Sequence, residues 1–295
     1  MTGRLVWNRD GRDWPNRGAS RFVDAGGLKW HVQRLGHGPV ALLVHGTGAS
    51  THSWRGLAPL LATDFTVIAP DLPGHGFTTS LVTPDLSLPG MARALSPLLH
   101  AMQIAPAVAI GHSAGAAVLV RMSLDKMLKV RALIAINGAL LPLPGISSPL
   151  FSGIARLFAT LPIVPSLFAL RARSPGTVER LIGGMGSHLD PEGLQYYARL
   201  LSDAGHVSGA LSMMASWDLK PLERELRGLP VPLTLLAFAG DRAVPAADSV
   251  RVAALVPGAV GTTIPDLGHL AHEEDPHRVA ALVREAARRA GVLCR

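Results

Sequence analysis

The sequence predicts an α/β fold in which a mostly parallel sheet is covered by helices on both faces. The first observation is that short apolar runs alternate with segments of helical spacing, in the first half of the chain and again near its end. The second is an interruption, because residues 139–215 contain helical pieces broken by proline and glycine and no clear strand. We therefore expect a core made of residues 20–138 and 216–295, with residues 139–215 inserted as a helical cap.

The elements of the core follow in chain order. Residues 1–19 are predicted to form an irregular arm, and two alternating segments around Asp-Ala-Gly-Gly at 24–27 indicate a β-hairpin. Helical spacing predicts one helix from Trp54 onward and another over 91–102. The last helix is predicted to start at Asp275, an N-cap residue followed by proline. Apolar runs predict further strands at 40–44, 65–69, 107–110, 130–136 and 233–239.

The pentapeptide Gly-His-Ser-Ala-Gly at 111–115 lies between a predicted strand and a helix of small residues. In such a sharp turn the serine hydroxyl stands clear of the sheet, and the glycines two positions away avoid Cβ clashes. This is the nucleophile elbow of the α/β-hydrolase fold, so Ser113 is the predicted nucleophile. The alternative is a serine in an ordinary glycine-rich turn.

An acid and a base follow in the order that this fold uses, serine, then acid, then histidine. Asp241 comes just after the strand at 233–239, and His269 lies in a loop before the last helix. An imidazole must take the proton of a serine hydroxyl before it can attack near neutral pH, and a carboxylate fixes the imidazole tautomer. Asp218 and Asp266 are weaker candidates for the acid, and Asp241 could instead cap a turn or helix.

The loop His-Gly-Thr-Gly at 45–48 follows the strand at 40–44, where this fold supplies one backbone donor to an oxyanion hole. We expect the N–H groups of Thr47, or alternatively Gly46, and of Ala114 to stabilise the oxyanion. His45 is predicted to make structural hydrogen bonds in that loop. His112 is predicted to brace the elbow.

Composition excludes several other classes of protein. The single cysteine, Cys294, rules out an internal disulfide framework, and the first ten residues lack an apolar signal core, so we expect a cytoplasmic protein. The acids at 273–275 beside His272 lie at a helix start, where the dipole favours acids, so we predict no metal site and no cofactor. Nucleic acid binding is not expected, because only 5% of residues are aromatic and no basic run alternates with them.

The charge and the apolar cap are compatible with more than one kind of binding partner. The net charge of +7 fits a solvated arginine-rich surface, or attraction to anionic lipid or to a substrate that bears carboxylates. From 139 to 170 the only charged residue is Arg156, yet the longest stretch without proline is 150–161, and a membrane span needs roughly 20 residues. We therefore expect a cap that buries an apolar substrate or contacts a membrane surface.

Several strings resemble the magnesium-chelatase-associated α/β-hydrolases of phototrophic bacteria. The strings at the serine and the histidine, GHSAGAA at 111–117 and GHLAHEE at 268–274, are generic to the fold. The specific ones are the N-terminal and cap-entry strings, WPNR at 14–17, LKWHVQR at 28–34 and NGALLPL at 137–143, and HGTGASTHSW at 45–54 also carries the resemblance. The resemblance implies a role in bacteriochlorophyll biosynthesis, near the insertion of Mg²⁺ into protoporphyrin IX. It also implies a tetrapyrrole ligand, magnesium chelatase subunits as partners and peripheral contact with the photosynthetic membrane.

These observations favour a serine hydrolase that cleaves an ester of a large apolar substrate through an acyl group on Ser113. A non-catalytic tetrapyrrole-binding accessory protein of magnesium chelatase is one alternative, and a generic carboxylesterase is another. Carbon–carbon bond hydrolysis and perhydrolysis use the same three residues and stay open. The candidate substrate contacts are His52, Trp54, Leu140 and Leu143.

Overall fold

The computed structural model describes residues 4–80, 84–142 and 163–294. Nine strands form one sheet, and all the strands predicted from apolar runs are among them. In chain order they are β1 (Ser20–Ala25), β2 (Leu28–Leu35), β3 (Val40–Val44), β4 (Thr66–Pro70), β5 (Thr79–Ser80), β6 (Val108–His112), β7 (Ala132–Ile136), β8 (Leu233–Phe238) and β9 (Val260–Ile264).

The α-helices of the described ranges fall into an N-terminal group, a group between β7 and β8, and a C-terminal group. The first contains α1 (Trp7–Asp10), α2 (Leu57–Leu61), α3 (Leu88–Ala101) and α4 (Ala114–Leu124). The second contains α5 (Ile163–Ala172), α6 (Thr177–Gly184), α7 (Pro191–Leu201), α8 (Ala204–Ala215) and α9 (Lys220–Glu225). The third contains α10 (Ala246–Leu255), α11 (Ala271–Glu274) and α12 (Pro276–Arg289). Short 3₁₀ turns occupy Arg17–Ala19, Thr51–Trp54 and Leu226–Gly228.

The sheet has the order β1-β2-β4-β3-β6-β7-β8-β9, with β5 paired to β2. Strands β1, β2 and β5 make antiparallel pairs, whereas β4-β3-β6-β7-β8-β9 run parallel. The carboxyl ends of the parallel strands therefore meet at one edge, where open α/β sheets carry their sites. The predicted mostly parallel α/β fold is confirmed.

Helices cover both faces of the sheet, and alternate side chains of each buried strand point to different helical layers. On one face Leu42 packs with residues of α3 and α4, such as Leu95 and Val118. On the other face Leu43 packs with residues of α2 and α12, such as Leu57, Leu61, Val279 and Val283. The last helix begins where the sequence predicts, because the Asp275 side chain accepts a hydrogen bond from the N–H of Arg278.

Two parts of the core differ from the sequence prediction. The N-terminal arm is more ordered than expected, because it forms α1 and a 3₁₀ turn, and Trp14 is buried with its indole N–H donating to the Thr51 hydroxyl at 3.0 Å. Strand β9, with the sequence Val-Gly-Thr-Thr-Ile, has no apolar run and a mostly exposed pattern, so its composition gave no signal. Its position is set by pairing with β8.

The segment between β7 and β8 is helical in its described part, α5 to α9, while residues 143–162 of the predicted cap lie outside the described residues. The bounds of the cap therefore stay a prediction. Helix α8 lies directly against the loop after β4, since a Cβ at Gly209 would collide with the Gly74 backbone. In the ranges that the structure describes, no helix is both long and apolar enough to cross a bilayer.

Candidate active site

Ser113 occupies the sharp turn between β6 and α4 in a strained backbone conformation, with φ of 51° and ψ of −120°. Neighbouring glycines make the turn possible, because a Cβ at Gly115 would collide with the Val44 carbonyl and one at Gly111 with the Ala116 backbone. A non-glycine residue at such a φ costs free energy and is retained where the structure around it over-determines the conformation. The serine is therefore held at the carboxyl edge of the sheet.

Asp241 and His269 lie together at the same edge. The distance from His269 Nδ1 to Asp241 Oδ2 is 2.7 Å, and the aspartate side chain is fully buried. The other carboxylate oxygen accepts the N–H groups of Ala243 at 2.7 Å and Val244 at 2.9 Å. The carboxylate is thus an acceptor on all sides, which favours the tautomer with the proton on Nδ1 and leaves the Nε2 lone pair free to take a proton.

The two rival acids lie elsewhere. Asp218 accepts a hydrogen bond from the N–H of Lys220 at 3.0 Å, just before α9. Asp266 is exposed in the turn before His269, with a φ of 62°. Asp241 is the acid that the fold brings to His269.

The loop of His269 is held by two side chains from neighbouring strands. His112 Nε2 and Asn137 Nδ2 lie 2.9 Å and 3.1 Å from the carbonyl oxygen of His269, and Asn137 Nδ2 also donates to the carbonyl of Gly268 at 3.0 Å. The rings of His112 and His269 are 4.7 Å apart. Because Ser113 directly follows His112, these contacts bring His269 to the elbow.

Asn137 is a residue that the sequence analysis missed as a part of the site. Its side-chain oxygen accepts the N–H of Phe238 at 2.9 Å, so it ties the end of β7 to the end of β8, three residues before Asp241. The available signal was an Asn-Gly pair directly after an apolar strand. Asparagine tolerates the positive φ of 45° that this position has.

The loop after β3 packs against the elbow, and the carbonyl of Gly46 fixes the direction of the Thr47 N–H. The carbonyl oxygen of Gly46 accepts from His45 Nδ1 at 2.8 Å and from the N–H of Ala49 at 3.2 Å. Since C=O and N–H point in opposite directions across a trans peptide, this carbonyl turns the N–H of Thr47 the other way. A Cβ at Gly46 would lie 3.0 Å from Ser113 Cβ, so the loop is packed against the serine.

His45 is fixed in one tautomer, as its predicted structural role requires. Its Nε2 accepts the N–H of Leu72 at 2.9 Å, so the proton is on Nδ1. Burial lowers the pKa of His45, which keeps the ring neutral. The second expected donor, the N–H of Ala114, belongs to the first residue of α4, and such groups have no partner within their own helix.

Helix α8 lies over this loop. His206 Nε2 donates to the carbonyl of Gly48 at 3.1 Å, and its Nδ1 accepts the N–H of Gly76 at 3.0 Å. Burial lowers the pKa of His206 to about 4, so the ring is neutral near pH 7. The Thr47 hydroxyl also donates to the sulfur of Met213 at 3.4 Å. His206 therefore links α8 to the loop of Thr47.

Three of the four candidate substrate contacts, His52, Trp54 and Leu140, are buried. His52 bonds to the Ser50 hydroxyl at 2.8 Å and packs against Tyr197, with ring centroids 4.5 Å apart. Trp54 and Leu140 belong to the hydrophobic core. Leu143 lies outside the described residues. Substrate contact by these four residues stays a prediction.

A second Ser-His-Asp chain lies on the far side of β2. Ser20 Oγ is 3.0 Å from His31 Nε2, and His31 Nδ1 is 2.8 Å from Asp71 Oδ2. Here the serine has an ordinary φ of −73°, and the histidine is fully buried beneath Trp7, with ring centroids 4.7 Å apart. These three residues lack the strained elbow, so we interpret their hydrogen bonds as structural, and Ser20 offers a matched control for Ser113.

The acids after His269 connect helix α7 to the histidine loop. Glu273 is buried, accepts the Tyr197 hydroxyl at 2.7 Å and pairs with Arg55. Burial raises the pKa of Glu273 to about 7, against the opposing effects of Arg55 and the Tyr197 hydrogen bond. Glu274 accepts the N–H of Gly268 at 2.9 Å. Within the described ranges, no group of three or more potential ligands is arranged to hold a metal ion.

Comparison with known proteins places these features in context. The sequence model of the alpha/beta hydrolase family matches residues 41–282. The magnesium-chelatase 30 kDa subunit of Rhodobacter capsulatus is 40% identical over 263 residues, which cover 88% of this chain and 92% of that protein.

Solved structures share the fold at low sequence identity. An α/β-hydrolase fold protein from Burkholderia ambifaria has a TM-score of 0.74 and 23% identity, and covers 90% of this chain and 97% of its own. A thermophilic esterase from Thermogutta terrifontis has a TM-score of 0.72 and 24% identity, and the match covers 92% of this chain and 98% of the esterase chain. These two likenesses bear on the fold alone.

Proposed function

The chain belongs to the alpha/beta hydrolase family, together with the magnesium-chelatase 30 kDa subunit, and from this premise we propose that it is a serine hydrolase. Ser113 is the nucleophile, His269 the general base and Asp241 the acid that orients it. The observation that carries the proposal is the 2.7 Å contact from Asp241 to His269, beside a serine held at a φ of 51°. The substrate is a carboxylic ester, and the reaction needs no cofactor.

Acylation begins with attack of Ser113 Oγ on the ester carbonyl carbon, while His269 Nε2 takes the hydroxyl proton. The carbonyl oxygen becomes an oxyanion, which the N–H groups of Thr47 and Ala114 stabilise. One such donor is typically worth about 100- to 1000-fold in rate. Collapse of the tetrahedral adduct breaks the bond to the alcohol, and His269 returns the proton to the leaving oxygen.

Deacylation repeats the sequence with water. His269 takes a proton from the attacking water, the same two N–H groups hold the second oxyanion, and Ser113 leaves with the proton from His269. The products are one alcohol and one carboxylic acid. The buried carboxylate of Asp241 stabilises the imidazolium in both halves.

The substrate is proposed to be large and apolar. Support comes from the sequence between 139 and 170, in which Arg156 is the one charged residue. A tetrapyrrole ester has this character, and the family relative is named after magnesium chelatase. We therefore place the reaction in bacteriochlorophyll biosynthesis, in the cytoplasm at the membrane periphery, with chelatase subunits as candidate partners.

A second candidate function is a tetrapyrrole-binding accessory protein for which the triad is dispensable. The name of the 40% identical relative, a subunit of magnesium chelatase, favours it. A generic carboxylesterase is the third. The three differ in whether Ser113 turns over an ester and in whether a porphyrin competes for it.

The test is hydrolysis of para-nitrophenyl esters and of a protoporphyrin ester by wild type, Ser113→Ala and Ser20→Ala. We expect Ser113→Ala to lose turnover, and Ser20→Ala, which alters the second Ser-His-Asp chain, to keep it. Turnover in Ser113→Ala at the wild-type rate would contradict the proposal. If both variants bind porphyrin and the wild type turns over no ester, the accessory protein is favoured. If the wild type turns over esters and porphyrin does not compete with them, a generic esterase is favoured.

A further inference from the structure

Helix α5 has two apolar faces, and one of them is exposed. Pro165, Ala169 and Ala172, four and three positions apart, are buried on one side of the helix. On the opposite side, at the same spacing, Ile163, Leu167 and Leu170 are 71%, 64% and 61% exposed. Three large aliphatic side chains in one row form a contiguous patch, and such patches mark interaction sites.

Positive charge borders this patch. Arg171 follows Leu170 in the last turn of α5, and Arg173 comes two residues later; both are exposed. In the ranges covered by the structure, no salt bridge pairs either arginine with a carboxylate. On the adjoining α6, Arg180 and the 43% exposed Leu181 are also next to each other.

We propose that the outer face of α5, with Arg171 and Arg173, is the surface by which the protein docks on a bilayer that contains anionic phospholipid. The aliphatic row would enter the boundary between headgroups and acyl chains, and the two guanidinium groups would meet phosphates at its edge. Exposed apolar side chains beside unpaired arginines are the combination by which interfacial helices bind such membranes. The net charge of +7 acts in the same direction at longer range.

The docked face connects to the catalytic edge through one helix. Helix α5 packs on α8, and α8 contacts the loop of Thr47 through His206 and Met213. A substrate dissolved in the bilayer would therefore lie on the cap side of Ser113. This delivery role rests on the proposed hydrolase function, whereas the docking itself does not.

Flotation of the full-length protein with vesicles tests the docking. Vesicles of phosphatidylcholine mixed with phosphatidylglycerol should carry the protein upward, and pure phosphatidylcholine should carry much less. Arg171→Gln with Arg173→Gln should weaken binding about 25-fold, because each arginine near an anionic surface contributes about fivefold. Adding salt to about 1 M, where the Debye length is about 3 Å, should remove most of that difference.

Leu167→Ser with Leu170→Ser should weaken binding at least about tenfold, since it removes apolar surface that leaves water. The matched control is Val250→Ser with Val260→Ser, because these valines are also exposed, at 61% and 43%, but lie on α10 and β9. Arg288→Gln with Arg289→Gln on α12 controls for charge. Both controls should bind within about twofold of wild type, a difference smaller than the roughly fivefold effect of a single arginine at the surface.

Three results would overturn the proposal. The first is that the wild type does not bind the anionic vesicles. The second is that the Leu167→Ser, Leu170→Ser variant binds them as well as the wild type, and the third is that the control variants lose as much binding as the variants of α5. Sedimentation without lipid examines another occupant, because a dimer that the leucine substitutions dissociate would assign the face to a second copy of this chain. Labelling of Ser113 by a fluorophosphonate in lipid-free buffer reports on the hydrolase separately, so the two proposals can fail independently.

Discussion

Asn137→Asp is the most informative single substitution at the site, because it changes hydrogen bonding without changing size. The amide Nδ2 donates to the carbonyls of Gly268 and His269 at 3.0 Å and 3.1 Å. A carboxylate cannot donate, although it still accepts the N–H of Phe238. The substitution therefore releases the His269 loop while keeping the tie to β8.

The expected magnitude follows from which carbonyls lose a partner. Gly268 loses its side-chain donor, at a cost of about 1–3 kcal/mol for a buried unsatisfied group. The His269 carbonyl keeps His112 and loses about 1 kcal/mol. We expect the free energy of unfolding to fall by about 2–4 kcal/mol, and the Tm by roughly 3–6 °C, because a chain of 295 residues has an unfolding entropy of about 0.6 kcal/mol/K.

Catalysis should suffer more than binding. A displacement of His269 by about 1 Å can cost about 100-fold in rate, so kcat should fall by about that factor with KM nearly unchanged. The assay is hydrolysis of a para-nitrophenyl ester well below the lowered Tm, which separates positioning from stability.

The matched control is Asn16→Asp. Asn16 also has a positive φ, of 55°, but lies in the N-terminal arm and donates only at 3.5 Å to the carbonyl of Arg55. It should leave kcat and Tm near wild type. An Asn137→Asp protein with wild-type kcat and wild-type Tm would show that Asn137 does not hold the His269 loop.

Three further predictions concern the acid, the cap and the buried histidines. Asp241→Asn should lower kcat about 10⁴-fold, because an amide favours the wrong tautomer of His269, whereas Asp218→Asn should keep its activity. An active Asp241→Asn protein together with an inactive Asp218→Asn protein would show that Asp241 is not the acid. His206→Ala should slow fluorophosphonate labelling of Ser113 about tenfold, since the loop of Thr47 loses its tie to α8, and equal slowing in the exposed His188→Ala would argue against this. Calorimetry should show the Tm falling as the pH drops below about 6.5, the unperturbed pKa of histidine. Burial lowers the pKa of six histidines in the folded state, so the unfolded state binds more protons than the folded state below about pH 6.5. The stability that is present above that pH is therefore lost as the pH falls. Glu273, with its pKa raised to about 7, opposes this trend, because its folded state takes up one proton as the pH falls below 7. A Tm that rises on acidification would contradict the prediction. The six are His45, His52, His75, His112, His206 and His272.

Local patterns predicted most of the fold. The elbow could be predicted because five consecutive residues encode a strand end, a turn that needs glycine and a helix start. The long parallel strands could be predicted because burial on both faces makes them continuous apolar runs, as at 132–136. Strand β9 lacks such a run and could not be.

Contacts between distant segments explain what the sequence could not supply. Asn137 acts on a carbonyl 132 residues away, and no local signal identifies that partner. His206 reaches Gly48 across 158 residues. His52 follows the loop of Thr47, and its ring packs on Tyr197 of α7, 145 residues further along the chain. Such pairings depend on how the helices after β7 fold back over the sheet.

Peptide mapping by mass spectrometry after fluorophosphonate treatment decides whether Ser113 is the nucleophile. We expect one adduct, on the peptide that contains Ser113, and its loss in Ser113→Ala. The Ser20→Ala protein should label at the wild-type rate, because the second Ser-His-Asp chain lacks the strained elbow. No adduct on the folded wild type, or an adduct at Ser20 that persists in Ser113→Ala, would contradict the assignment of the nucleophile.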